Sequence, residues 1–115
     1  MSIDRDPAVL IDIANASRLV QDFTKGHDKI EFGTDLLLQS AVLHQLLVLG
    51  EAVRRLTAEF RAAHPEVDWR GYVGLRNLLI HKYDEIDLDE IWKIASDDVP
   101  ALSRQIIPWL PDETF

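Results

Sequence analysis

Cysteine is absent from this sequence of 115 residues. The chain can therefore form no disulfide, no thiolate zinc site and no cysteine nucleophile, and it suits a reducing compartment. The four histidines are scattered without an HExxH or comparable spacing, and no serine lies in a nucleophile elbow. We therefore expect no metal site and no cofactor.

Basic residues are scarce: Lys and Arg number 12 against 20 Asp and Glu, which gives a net charge of −8. This balance argues against a protein that coats nucleic acid indiscriminately, because such binding depends on many cationic contacts to phosphate. The charge is unevenly distributed, however. Residues 54–82 hold six basic and three acidic side chains, whereas residues 83–115 hold two and nine. The basic block is where we expect an anion to bind.

Long apolar runs are also missing, since no stretch approaches the roughly 18 uninterrupted apolar residues of a membrane helix. The start MSIDRDPAVL carries acids and a proline where a signal peptide needs basic residues and then an apolar segment. Glycine and proline number only five each, as in an ordinary globular protein. We expect one domain over residues 1–115, located in the cytoplasm and independent of any membrane.

Apolar residues recur at intervals of three and four positions, and the period-two runs typical of strands are missing. Capping residues and prolines delimit the predicted helices, which cover about residues 7–25, 35–63 and 69–83 and two further segments that begin at Asp87 and near Pro100. The stretch HDKIEFG can add a single turn. The predicted fold class is all-α, an antiparallel bundle of four to five helices.

Several local features refine this bundle. Thr34 is the predicted cap of the long second helix, and Asp68 that of the third. Gly71 and Gly74 are expected to let the third helix approach its neighbours closely. The first half of the second helix is apolar almost all round, so we expect it to be buried on more than one side, and we expect a homodimer.

The stretch RNLLIHKY, residues 76–83, concentrates polar chemistry at the end of the third helix. Arg76 presents a planar fork of N–H donors that fits phosphate, and His81 titrates near neutral pH and can give or take a proton. Asn77 can orient either one. In an ideal helix Arg76 and His81 lie about 140° apart, so they converge only if the helix ends or loosens near His81.

A purely structural interpretation of the same residues stays open. Arg76 can form a buried pair with a carboxylate, and His81 can be an ordinary histidine at a helix end. His44 and Glu51 lie seven residues apart, on one face of the second helix. They are either a polar pair at a seam of the bundle or, in the case of Glu51, support for a site on the third helix.

The block Arg76-x4-His81-x-Tyr83, with Asn77 after the arginine, resembles the R-x4–6-H motif of HEPN-domain proteins and the RN-x3-H-x-Y form of their HepT-like branch. The segments LVLGEAVRRL, HPEVDWRGYVGLRN and DLDEIWKIASDDVPALSRQI follow the order and spacing of that branch over about residues 7–110. One departure is visible. Lys82 stands where the branch usually has glycine, which adds a cation and can alter the turn before Tyr83.

The resemblance implies an antiparallel helical bundle that forms a homodimer with its two motifs face to face. It also implies a metal-independent endoribonuclease that cleaves RNA, the toxin of a type VII-like toxin–antitoxin pair. The antitoxin would be a minimal nucleotidyltransferase that adenylylates Tyr83. The alternative is a non-catalytic HEPN subunit that binds nucleotide or nucleic acid and partners a nucleotidyltransferase. The intact Arg76, Asn77 and His81 favour the ribonuclease.

Residue roles follow from the chemistry of RNA cleavage without a metal. The 2′-hydroxyl is then the nucleophile, and it needs a group to take its proton and cations to hold the charge that builds on phosphate. His81 is the acid–base candidate and Arg76 the charge stabiliser. Asn77 would orient His81 or the phosphate, with Lys82 and Glu51 as possible support.

Overall fold

A computed structural model describes residues 4–112, which form helices joined by short loops and contain no strand. The α-helices within that range are α1 Asp6–Thr24, α2 Lys29–Thr34, α3 Leu36–Arg55, α4 Ala58–Ala63, α5 Trp69–His81, α6 Leu88–Lys93 and α7 Val99–Ile106. A π-helical segment, Ile94–Asp98, joins α6 directly to α7, and short 3-10 helices occupy Tyr83–Glu85 and Ile107–Trp109. The predicted all-α fold is confirmed, with α1, α3, α5 and the α6–α7 rod as its main helices.

The centre of the bundle is α3, which packs against both α1 and α5, while α1 also packs against α7. The helices bury one continuous apolar core, whose least accessible large side chains include Leu10, Ile13, Leu46, Leu49, Ile91, Leu102 and Ile106. By length and composition α3 could cross a membrane, but 44% of its most apolar stretch is buried inside the bundle. Packing against α1 and α5 therefore accounts for the buried part of its apolar surface, while Leu36 and Leu37 at its start stay exposed.

Local sequence signals set most helix ends as predicted. The Asp68 side chain accepts a hydrogen bond from the backbone N–H of Gly71 and caps α5, and Asp87 accepts one from Asp89 and caps α6. The stretch HDKIEFG forms α2, which opens with a capping box between Asp28 and Glu31. The predicted cap at Thr34 is wrong, because Asp35 caps α3 by accepting from the N–H of Leu38.

The long second helix does not run to residue 63 as predicted. It breaks at Leu56, whose backbone is extended and whose side chain is buried in the core. Thr57 then caps α4 by accepting from the N–H of Phe60. The same residue donates its N–H and its hydroxyl to the Asp6 carboxylate at 2.9 and 2.6 Å. These bonds connect the start of α1 to the residue that follows the break, and they stabilise the interrupted arrangement of the helix.

The predicted role of the glycines in α5 is also wrong. A Cβ atom at Gly74 would meet nothing within 4 Å, and the atoms nearest to one at Gly71 would belong to the Asp68 carboxylate that caps the same helix. The close approach occurs instead at Gly50 of α3. A Cβ there would lie 2.6 Å from the Cβ of Arg76 and 2.7 Å from the carbonyl oxygen of Tyr72. Gly50 therefore sets the spacing between α3 and α5.

Candidate active site

The contact at Gly50 brings the next residue of α3, Glu51, within reach of α5. Arg76 Nε donates to Glu51 Oε2 at 2.7 Å, and Arg54 Nη1 donates to Glu51 Oε1 at 3.0 Å. The hydrogen bond from Arg76 outweighs the opposing effect of burial and holds the pKa of Glu51 below its ordinary value. Glu51 is thus an ionised carboxylate at neutral pH that fixes the orientation of Arg76.

A second contact orients the same guanidinium from its own helix. Arg76 Nη1 donates to Asn77 Oδ1 at 2.8 Å, so Asn77 contacts Arg76 rather than His81. Together the two bonds use two of the five N–H donors of the guanidinium. The Arg76 side chain remains 19% exposed. The structure therefore shows the arginine–carboxylate pair left open by the sequence, and the pair still leaves donors for a phosphate.

The end of α5 lies near His81, as convergence of Arg76 and His81 requires, and two residues before the end of the predicted helical segment 69–83. The helix ends at His81, and Lys82 closes it by donating its N–H to the carbonyl of Leu78 at 2.8 Å. Lys82 has φ −138°, outside the left-handed region that favours glycine. Lysine at this position therefore introduces no backbone strain, and it places a cation directly after the histidine.

His81 lies exposed at this helix end and makes no hydrogen bond or ion pair within the range 4–112. The fold brings Arg76, Asn77 and Glu51 together, but it does not join His81 to any of them by a direct bond. The imidazole is consequently available to a substrate or to another chain.

Tyr83 lies beyond the helix end, 58% exposed, beside a groove of about 210 Å³. The groove is lined by Leu79, Tyr83 and four residues of α3, namely Ser40, Leu43, His44 and Leu47. The interpretation of His44 and Glu51 as a polar pair is wrong, because Glu51 binds Arg76 and Arg54 whereas His44 faces the groove. The position of His44 beside Tyr83 depends on how α3 packs against α5, which the sequence alone did not indicate.

The outward face of α3 is partly apolar. Leu37 is 81% exposed and Val48 36% exposed, and on an ideal helix both lie within about 60° of Glu51. Ile80 of α5, four residues after Arg76, is 44% exposed. Apolar side chains therefore share the surface that carries the polar cluster. No three His, Asp or Glu residues lie close enough to hold a metal ion in the part of the chain that the structure describes.

A helical bundle in which one helix carries a positioned arginine and ends at an exposed histidine agrees with the comparison of the chain with protein families. The family model described as "Ribonuclease HepT-like" matches residues 13–108, which include every residue of the candidate site. The chain belongs to this ribonuclease family and is an enzyme of the endoribonuclease class.

Individual relatives support the same assignment. "Putative RNase MJ1380" of Methanocaldococcus jannaschii is 41% identical over 99 residues, which cover 86% of this chain and 91% of the relative. "Putative RNase MJ0127" of the same organism is 40% identical over 99 residues, with 86% and 82% covered. "Probable ribonuclease HepT" of Thermococcus cleftensis is 37% identical over 93 residues, with 81% and 84% covered. No solved structure matches the chain.

Proposed function

We propose that this protein is a metal-independent endoribonuclease that acts in the cytoplasm as the toxin of a type VII-like toxin–antitoxin pair. The observation that carries the proposal is the arrangement of Arg76, which Glu51 and Asn77 hold in place at 2.7 and 2.8 Å while further donors stay unused. A guanidinium fixed before the substrate arrives stabilises developing charge without reorganising during the reaction. His81, exposed at the end of the same helix, supplies proton transfer.

In the proposed reaction the 2′-hydroxyl of one nucleotide attacks the adjacent phosphorus while neutral His81 takes the hydroxyl proton. Arg76 stabilises the charge on the phosphate oxygens, and Lys82 adds a second cation nearby. The bond to the 5′-oxygen then breaks, and a protonated histidine gives that oxygen its proton. The products are a 2′,3′-cyclic phosphate and a 5′-hydroxyl. Asn77 and Glu51 act by orienting Arg76.

The reaction needs one neutral and one protonated histidine, whereas each chain places one His81 at this site. A homodimer formed through the outward faces of α3 and α5 would supply the second copy. The exposed Leu37, Val48 and Ile80 support this arrangement, because a twofold dimer would remove them from water beside the site. Sedimentation of the protein at micromolar concentration should show a species of twice the 13.1 kDa chain mass, and Val48→Glu should shift it to the monomer.

Cleavage is tested with single-stranded RNA in the presence of EDTA. Wild-type protein should produce cyclic phosphate ends, and His81→Ala should lower the rate by about 10²–10⁴, as for other lost acid–base groups. His27→Ala is the matched control, since His27 lies between α1 and α2 and should leave the rate unchanged. Activity that survives in His81→Ala, or that requires added Mg²⁺, would contradict the mechanism. RNA binding without cleavage by the wild type would favour the non-catalytic HEPN subunit instead.

Tyr83 is the proposed control point of this activity. Its exposure makes the hydroxyl accessible to a minimal nucleotidyltransferase, which would use it to attack the α-phosphorus of ATP and release pyrophosphate. The attached AMP would bring a phosphodiester with about one negative charge, and the bulk of a nucleotide, near Arg76 and Lys82. Both cations would otherwise attract RNA, so the modified protein should lose RNA binding and cleavage together.

Intact-mass spectrometry after incubation with the partner and ATP tests the modification. Wild-type protein should gain mass in steps of one AMP, and Tyr83→Phe should gain none while it keeps its ribonuclease activity. The chain has two tyrosines, and Tyr72 is buried, so Tyr72→Phe is the control that should still be modified. An AMP adduct that persists in Tyr83→Phe would place the modification elsewhere.

A further inference from the structure

The solvent side of α5 carries a row of exposed residues that leads to the candidate site. Arg70, Gly74, Asn77 and His81 follow one another at intervals of four, three and four positions, and all four are exposed. On an ideal helix these positions fall within an arc of about 60°. They form a straight stripe along the helix, called here the α5 stripe, and it ends at the histidine of the candidate site.

The polar groups of the α5 stripe present hydrogen-bond donors. Arg70 forms no hydrogen bond or ion pair with any other residue in the range 4–112, so its guanidinium keeps all five N–H donors. Asn77 uses Oδ1 to accept from Arg76 Nη1 at 2.8 Å, which leaves the two N–H donors of its amide nitrogen without a partner among the described residues. The 13 residues of α5 include no Asp or Glu. The stripe therefore suits an anion with acceptor oxygens.

The surface between Arg70 and the candidate site is open. Gly74 has no side chain, and a Cβ atom there would meet nothing within 4 Å. Asp68, the acid nearest to Arg70 along the chain, turns its carboxylate to the backbone N–H that it caps at the start of α5 and forms no ion pair with Arg70. An extended anion can therefore follow the stripe without meeting a bulky side chain or a carboxylate of α5.

The length of the stripe identifies this anion as a chain of phosphates. Arg70 and His81 are eleven positions apart, which corresponds to about 16 Å along the helix and exceeds the reach of an arginine side chain. At roughly 3.4 Å per nucleotide of a stacked strand, this distance covers up to about five nucleotides. Arg70 is thus too far away to contact the phosphate on which His81 would act, but a phosphate further along the same strand can reach it.

We propose that Arg70 binds a backbone phosphate of the RNA several nucleotides from the cleaved bond, and that the α5 stripe holds a single strand in register with His81. A single row of donors matches one phosphate backbone, and contacts of this kind fix the position of a strand without reading its sequence. The proposal takes its substrate from the proposed ribonuclease function. Arg70 is a binding residue and has no part in proton transfer.

Binding to a strand that cannot be cleaved tests the proposal separately from the reaction. The full chain is titrated with a fluorescent 2′-O-methyl RNA of about twelve nucleotides, and the dissociation constant is followed by anisotropy at several salt concentrations. Arg70→Gln should weaken binding about three- to tenfold and flatten the plot of log Kd against log salt by about 0.7, the value for one lost phosphate contact on a single strand. Arg70→Lys keeps the charge and should preserve the slope.

Arg104→Gln is the matched control. Arg104 is also exposed and has no hydrogen bond or ion pair within the described residues, but it belongs to α7. Equal weakening by Arg70→Gln and Arg104→Gln would show general charge attraction and overturn the proposal, as would an unchanged salt slope in Arg70→Gln or no measurable binding by the wild type.

Cleavage of an unmodified strand of the same length gives the second measurement. Arg70→Gln should raise KM and leave kcat unchanged, because a distant phosphate is bound equally in the ground state and the transition state. A fall in kcat at constant KM would place Arg70 at the reacting phosphate and overturn its proposed role. A wild-type protein that binds the strand through Arg70 but does not cleave RNA would refute the proposed reaction and leave the α5 stripe as a binding surface.

Discussion

Replacement of Gly50 by alanine tests whether the contact between α3 and α5 builds the candidate active site. The added Cβ would lie 2.6 Å from the Cβ of Arg76 and 2.7 Å from the carbonyl oxygen of Tyr72. Neither atom is the end of a flexible side chain, so the two helices must separate. Overpacking of this kind costs about 1–3 kcal/mol, and the better helix propensity of alanine offsets about 1 kcal/mol of it. We expect a net destabilisation of up to about 2 kcal/mol.

Gly74→Ala is the matched control. Gly74 also lies inside a helix, but a Cβ there meets nothing within 4 Å, so this variant should gain up to about 1 kcal/mol from helix propensity. Thermal unfolding followed by circular dichroism should move the two variants in opposite directions, by roughly 4 °C per kcal/mol for a domain of this size. Only Gly50→Ala should also lose RNA cleavage, because the separation of α3 from α5 pulls Glu51 away from Arg76.

Two outcomes would refute this reasoning at different points. If Gly50→Ala melts at or above the wild-type temperature, close contact with Arg76 and Tyr72 does not constrain the fold. If it melts lower and still cleaves RNA at the wild-type rate, helix spacing affects stability but does not position Arg76.

Two further predictions concern single contacts. The Arg76 hydrogen bond lowers the pKa of Glu51 in the folded state, so the ionised carboxylate stabilises the protein above its unfolded pKa, and this contribution is lost as pH falls through the folded pKa. The urea midpoint of Glu51→Gln should therefore lie below that of the wild type at pH 7 and approach it as the pH falls through the lowered pKa of Glu51. A difference that stays constant with pH would contradict this. Thr57→Ala removes the hydroxyl that caps α4 and donates a hydrogen bond to the buried Asp6 carboxylate. It should lower the free energy of unfolding in urea by about 1–2 kcal/mol. Thr34→Ala, on the surface, should cost less than about 0.5 kcal/mol, and equal costs would mean that the Asp6 link contributes little.

The sequence predicted features that depend on neighbouring residues. The caps at Asp68 and Asp87 each bind an N–H two or three positions along the chain, so their chemistry is visible in a short stretch. Thr57, which caps α4 after the break at Leu56, is also a local signal. Its bonds to Asp6 are not, because the two residues are 51 positions apart and meet only after α1 has packed against α3.

The same distinction applies to the candidate site. RNLLIHKY identified Arg76 and His81 by their chemistry, and Glu51 entered as possible support because of its position on the long helix. The contact between Arg76 and Glu51 depends on Gly50, whose role is set by the helix that faces it. The two glycines proposed for close packing lie on α5 itself, where no neighbouring helix approaches them. Composition alone does not tell which glycine of a bundle faces a partner helix.

The π-helical segment between α6 and α7 changes the direction in which the side chains of α7 point relative to those of α6. The buried side chains along α6, this segment and α7 include Ile91, Ala95 and Val99, which follow one another at intervals of four residues. In a regular α-helix this spacing would rotate the third side chain about 80° away from the first. The wider turn at Ile94–Asp98 absorbs that rotation and returns Val99 to the core. Deletion of one residue from this segment would restore regular winding and leave Ile91 and Val99 seven positions apart, about 20° from each other on an ideal helix, so the core face of α7 would be kept.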